Sequence, residues 1–254
     1  MTRETNKRRD EGVSFDIPWR LREEMQKSLK RAIELSKTAT NKNSTPELGE
    51  VFITIILAVS YLESFINYWA YHCLNRGTYS IHLKERKVYK DSVIDKTSNP
   101  KTSQYYLLKD KKRSDEIIGI YEKWEEIEQR WSLRDKYNKL VPLLNDINLT
   151  AQQKKQLDSL CKLRNRITHS KLYFEESPYI CDQPGQGWKT SEPDDFEKKL
   201  SGFFKINKDG WSSWHRIFTV SCAQWTHDFS ISLVKLIRGK THYCPGDCFI
   251  MDQT

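Results

Sequence analysis

The stretch from Val51 to Leu74, VFITIILAVSYLESFINYWAYHCL, is apolar on nearly every helical face, and no fold can leave it open to water. About 20 such residues suffice to span a bilayer. Glu63, Asn67 and His72 interrupt the run, and its purely apolar part is short, so the better reading is the buried central helix of a bundle. Thr45-Pro46-Glu47 places cap, proline and acid in the order that opens such a helix, and Gly77 marks its end.

The rest of the chain must therefore supply elements that cover this helix. Gly (10) and Pro (8) are scarce among 254 residues, which disfavours a turn-rich sandwich and leans towards more helices. Leu21, Met25, Leu29, Ala32 and Ile33 form one stripe at helical spacing after Asp16 and Pro18. Ser114-Asp115-Glu116 reads as the cap of a third helix, with Ile117, Ile120, Tyr121, Trp124, Ile127 and Trp131 inward. A fourth follows Ser132 and meets Pro142, which kinks or shortens it. Thr150-Ala151-Gln152-Gln153 reads as a capping box that opens a helix over about 151–172. A last helix carries Trp214, Ile217, Phe218, Trp225 and Phe229 and ends at Gly239. The expected fold class is all-α, a six-helix bundle with long basic insertion loops and almost no strand, short strands being possible only at 178–190 or 203–206. The expected organisation is a disordered basic tail over 1–15, one helical domain over 16–240 with insertions at 78–113 and 173–211, and a C-terminal tail over 241–254.

Charge narrows the partners. The net charge is +8, which points to an anionic partner such as nucleic acid. The 78–113 insertion holds Lys109, Lys111, Lys112 and Arg113 close to Tyr105 and Tyr106, a pairing of cations and rings that suits single-stranded RNA. A solvated loop is the alternative. The N-terminus has no apolar core of a secretory signal, and the six cysteines are scattered, so a cytoplasmic setting without disulfides or membrane is expected. Cys244, Cys248 and His242 either hold a metal or are ordinary tail residues; no second Cys/His pair lies at finger spacing. There is no P-loop, HExxH, GxSxG or GxGxxG, and no carboxylate pair for a metal. No cofactor and no metal is expected.

Chemistry concentrates in Lys162-Leu163-Arg164-Asn165-Arg166-Ile167-Thr168-His169. Asn165 and His169 are four apart and share a helix face, whereas Arg164 and His169 are five apart, about 140° round the helix. They converge only if the helix loosens at His169 or a second copy packs alongside. A basic stretch with a histidine near a helix C-terminus also simply complements the helix dipole.

The run from Arg164 to His169 resembles the RX4-6H motif of HEPN domains, with Asn165 at the polar position after the arginine. SYLESFINYW (60–69) is similar to the long first core helix of that family, and SLRDKYNKL (132–140) to the helix before its motif helix. The resemblance covers about 45–240 loosely and is specific only at the motif. It implies a helical bundle that dimerises with its motif helices facing each other. It also implies metal-independent endoribonuclease activity in a toxin or defence role, or, in members that have lost activity, a binding or assembly module. Arg164, Asn165 and His169 carry over as catalytic residues. The insertions at 78–113 and 173–211 depart from the common core. Expected partners are RNA, a second copy of the chain, and an antitoxin or regulatory protein.

The residue chemistry agrees. RNA cleavage without metal needs proton transfer, which His169 can supply, and fixed positive charge on the phosphate, which Arg164 supplies. Glu63 and Asn67, one turn apart in the apolar helix, read either as support for Arg164 or His169 or as a satisfied buried pair, with Arg164 or Arg166 as the expected partner of Glu63. Lys162 and Arg166 complete the supporting set. His72, His82, His215, His227 and His242 read as structural.

Overall fold

The structure, a computed structural model, describes residues 17–40, 45–75, 79–92, 104–169, 194–208 and 213–239. Helix dominates. α1 (Ile17–Ser36) buries Met25, Leu29 and Ala32, with Leu21 and Ile33 partly covered, so its stripe lies where the spacing puts it. α2 (Leu48–Asn75) is the longest element, and fourteen of its residues are buried. It is long and apolar enough to cross a membrane by length and composition. Here α1, α7 (Ala151–Thr168) and α10 (Val220–Arg238) pack against it. Leu62, Ile66 and Trp69 of α2 lie in one continuous core with Leu157, Leu160 and Leu163 of α7. Burying these side chains is worth about 1.5–3 kcal/mol each, an upper range for area removed from water.

Among its described residues the 78–113 segment is an ordered insertion and not the loop expected of it. It contains β1 (Tyr79–His82), β2 (Lys87–Ser92) and β3 (Gln104–Leu107), an antiparallel sheet in the order β1-β2-β3. Tyr79 and Val88 anchor it to the core. Arg86 takes a positive φ of 48° in the β1–β2 turn. The strands escape a sequence reading because they are short and because KVYKDS and QYYL lack the clean apolar/polar alternation of a half-buried strand.

Several helix boundaries also move. The third helix, α3 (Lys111–Glu122), begins before Ser114: Asp110 caps it, accepting from Arg113 N–H at 3.0 Å. Ser114 is buried and donates back to Leu108 O and Asp110 O. The helix breaks at Lys123, so Trp124, Ile127 and Arg130 belong to a separate α4 (Trp124–Arg130). After Ser132 come α5 (Leu133–Asp135), a π-helical turn (Lys136–Leu140) and α6 (Val141–Asn145). Pro142 cannot donate a helical hydrogen bond, and the widened turn before it carries the chain past without a stop. The sequence 203–206 forms no strand, while α8 (Asp195–Leu200) occupies part of the 173–211 insertion. The last helix is split into α9 (Ser213–Ile217) and α10, with Thr219 capping α10. The 178–190 strand reading, both tails and the Cys244, Cys248 and His242 trio lie outside the described residues.

Candidate functional site

The site is built on α7. Thr150 accepts from Gln153 N–H at 3.1 Å and the Gln153 side chain accepts from Thr150 N–H at 2.8 Å, the reciprocal box that the sequence spells. Leu157, Leu160 and Leu163 have no exposure and fix which face of the helix turns outward. The helix ends at Thr168, earlier than the spacing suggests. His169 is the C-cap: its N–H still donates to Asn165 O at 2.9 Å, but its φ of −115° and ψ of 37° leave the helical region. The helix loosens where the motif ends.

Asn165 and His169 are exposed. Arg164 is half-buried, with Nε enclosed and without a hydrogen-bond partner, and it forms no ion pair among the described residues. Its charge is felt instead at Cys161, one turn back. Burial pushes that thiol up to about 11; Arg164 and Arg134 oppose the rise, and Asp158 and Glu63 add to it. Cys161 is therefore a neutral thiol at pH 7 and not a nucleophile. No hydrogen bond joins the side chains of Arg164, Asn165 and His169 to one another within one chain.

The supporting residues divide. Glu63 pairs with neither arginine. Its partner is Lys136 of the π turn, whose fully buried side chain donates to Glu63 Oε1 at 3.2 Å and to Glu128 O at 2.7 Å. Glu63 is itself 44% exposed at the side chain, so it sits at the rim of the core. Asn67 Oδ1 is buried without a hydrogen-bond partner. Arg166 faces α8: it pairs with Asp194 at 3.0 Å and lies over the Phe196 ring at 4.2 Å. That makes it a strut between helices and removes it from Glu63. Lys162 is exposed and paired with Asp158 at 3.1 Å. Lys136 escapes a sequence reading because lysine normally signals surface; only the tertiary carbonyl and carboxylate make its burial tolerable.

The basic insertion also divides. Lys109, Lys111 and Lys112 are exposed at the start of α3. Arg113 is turned inward: it donates to Leu143 O at 2.7 and 3.1 Å, to Tyr79 Oη at 3.4 Å and to Asp146. It locks the sheet to α6 and is not free to meet RNA. Tyr105 and Tyr106 lie on β3, in register with Asp91 and Lys90.

Of the remaining histidines, His72 is buried beside the Tyr68 ring, His82 packs on Tyr89, and His227 lies 2.9 Å from Asp228. Burial lowers the pKa of His215. No group of three metal-binding side chains occurs among the described residues. No family model, curated protein or solved structure matches this chain.

Proposed function

We propose that the chain is a metal-independent endoribonuclease of the HEPN type that acts as a homodimer, in a cytoplasmic toxin or defence role. One observation carries the reading. Of the motif's cations, Arg166 pairs with Asp194 and Lys162 shares Asp158 with other cations, while Arg164 stays half-enclosed with no carboxylate partner among the described residues. Holding a guanidinium this way has a desolvation cost, and an incoming phosphate would offset it.

In this reading His169 moves the proton of the attacking 2′-hydroxyl or of the leaving 5′-oxygen. Arg164 stabilises the charge that develops on the phosphate, and Asn165 orients either group. Arg164 and His169 point about 140° apart on an ideal helix. A second copy facing α7 brings the arginine of one chain to the histidine of the other. An antitoxin or regulatory protein is the further partner this role implies. The absence of any side-chain hydrogen bond among Arg164, Asn165 and His169 within one chain favours a second reading, a silent binding or assembly module.

The test incubates wild type, Arg164→Ala and His169→Ala with cellular RNA in excess EDTA. Wild type is expected to yield ends carrying 2′,3′-cyclic phosphate, and each variant to lose about 10²–10⁴-fold in rate. His169→Ala should keep the wild-type melting temperature because the side chain is exposed, and Arg164→Ala should keep or raise it because it relieves the cost of the half-enclosed guanidinium. RNA bound but left intact by wild type supports the module, and a need for added Mg²⁺ or Mn²⁺ rejects the mechanism.

A further inference from the structure

Asp158, on the outward side of α7, gathers cations from three separate elements. Lys162 of the same helix lies 3.1 Å away, Arg134 of α5 3.5 Å and Lys199 of α8 3.5 Å. The carboxyl registers them: burial pulls its pKa up, yet the Lys162 hydrogen bond and the charges of Lys162 and Lys199 outweigh this and hold it below the ordinary value. One carboxylate balances one cation, so the cluster keeps a surplus of positive charge in a small area. The Arg134, Lys162 and Lys199 side chains are 57%, 55% and 38% exposed. The dipole of α7 accounts for basic residues in its last turn, but it does not recruit Arg134 or Lys199 from other helices.

Position gives the surplus a direction. At 100° per residue Asp158, Lys162 and Asn165 fall within about 60° of one another, and His169 continues the same stripe at the C-cap. At 1.5 Å per residue the cluster lies roughly 10–16 Å from His169. A stacked strand covers that in about three to five nucleotides. We propose that Arg134, Lys162 and Lys199 form a phosphate-binding track that seats the RNA backbone a few nucleotides from the bond cleaved at His169. The inference rests on the ribonuclease reading for its ligand. Phosphodiesters match the site because each brings one negative charge, and Arg134 can fork onto two of its oxygens. Asp158 holds the three cations together against their mutual repulsion until the strand arrives.

The experiment measures binding of a 2′-O-methylated oligonucleotide, which lacks the attacking hydroxyl, across a salt series. The chain is used whole, as wild type, Arg134→Gln/Lys199→Gln, Lys162→Gln and Asp158→Asn. Single-strand contacts contribute about 0.7 each to the slope of log affinity against log salt, so the double variant should flatten the slope by about 1.4 and Lys162→Gln by about 0.7. Asp158→Asn should tighten binding. Unchanged slopes in both neutralised proteins overturn the track. So does loss of polyglutamate binding with oligonucleotide binding intact, which assigns the patch to an acidic protein. Failure of wild type to cleave RNA removes the catalytic reading while leaving the slope result standing. Cleavage with unchanged slopes removes the track alone.

Discussion

Glu197 and Arg216 illustrate how much a single pair of residues can carry. Both side chains are almost wholly buried, and the guanidinium meets both carboxylate oxygens, at 2.8 and 2.9 Å. The pair ties α8 to α9. Removing Glu197 breaks a buried bidentate pair, so Glu197→Ala should lower unfolding free energy by about 3–5 kcal/mol in urea titration. A loss under 1 kcal/mol would show that water reaches the arginine. Asp146 works differently. Its φ of 56° is left-handed, which aspartate tolerates better than most residues. Burial pulls its carboxyl upward, but the Arg113 and Lys90 hydrogen bonds outweigh that and hold its pKa below the ordinary value. A carboxyl depressed in the folded state contributes stability that is present above the unfolded value and disappears as pH falls through the folded one. Melting temperatures of wild type and Asp146→Asn should therefore differ at pH 7 and converge towards pH 3, below the ordinary carboxyl value of 3.8. A constant gap from pH 7 to pH 3 contradicts this assignment.

At the level of elements, what was legible in the sequence is what local chemistry specifies. The Thr150/Gln153 box needs only four consecutive residues, and the structure forms it as spelled. Thr150→Ala should cost about 1 kcal/mol, read as a lower urea midpoint at constant m-value. The stripe of α1 and the all-round apolarity of α2 were legible for the same reason, since period and apolarity are properties of one segment. The sheet was not legible. Lys87, Tyr89, Lys90 and Asp91 carry no strand signal until β1 and β3 flank them. Nor was the role of Arg113, which resembles its exposed neighbours Lys111 and Lys112 in sequence but turns inward to Leu143 and Asp146. Because that residue latches the sheet to α6, Arg113→Met should raise amide exchange in 79–92 and 104–107 while leaving α2 protected. Uniform acceleration across the chain would mean that sheet and bundle open as one unit. At the site, the capped start and buried face of α7 were legible, whereas the division of labour among its polar residues was not. Arg166 is taken by Asp194 and Glu63 by Lys136, both distant in sequence.

At the scale of the whole molecule, α7 faces outward with Asn165 and His169 exposed, and with Arg164 turned to another side of the helix. On the proposed ribonuclease reading a partner copy completes the catalytic set, and a two-fold arrangement supplies two such sets. The +8 net charge favours anionic partners in general and says little about the choice of fold. The most direct test mixes two inactive proteins. Arg164→Ala and His169→Ala are each purified, combined in equal amounts and assayed for RNA cleavage in EDTA. If each site draws its arginine from one copy and its histidine from the other, half the dimers are mixed and each holds one intact site of two. Activity should then return to about one quarter of wild type. Mixtures that stay as inactive as the separate variants, beside a wild type that cleaves under the same conditions, would contradict the shared site.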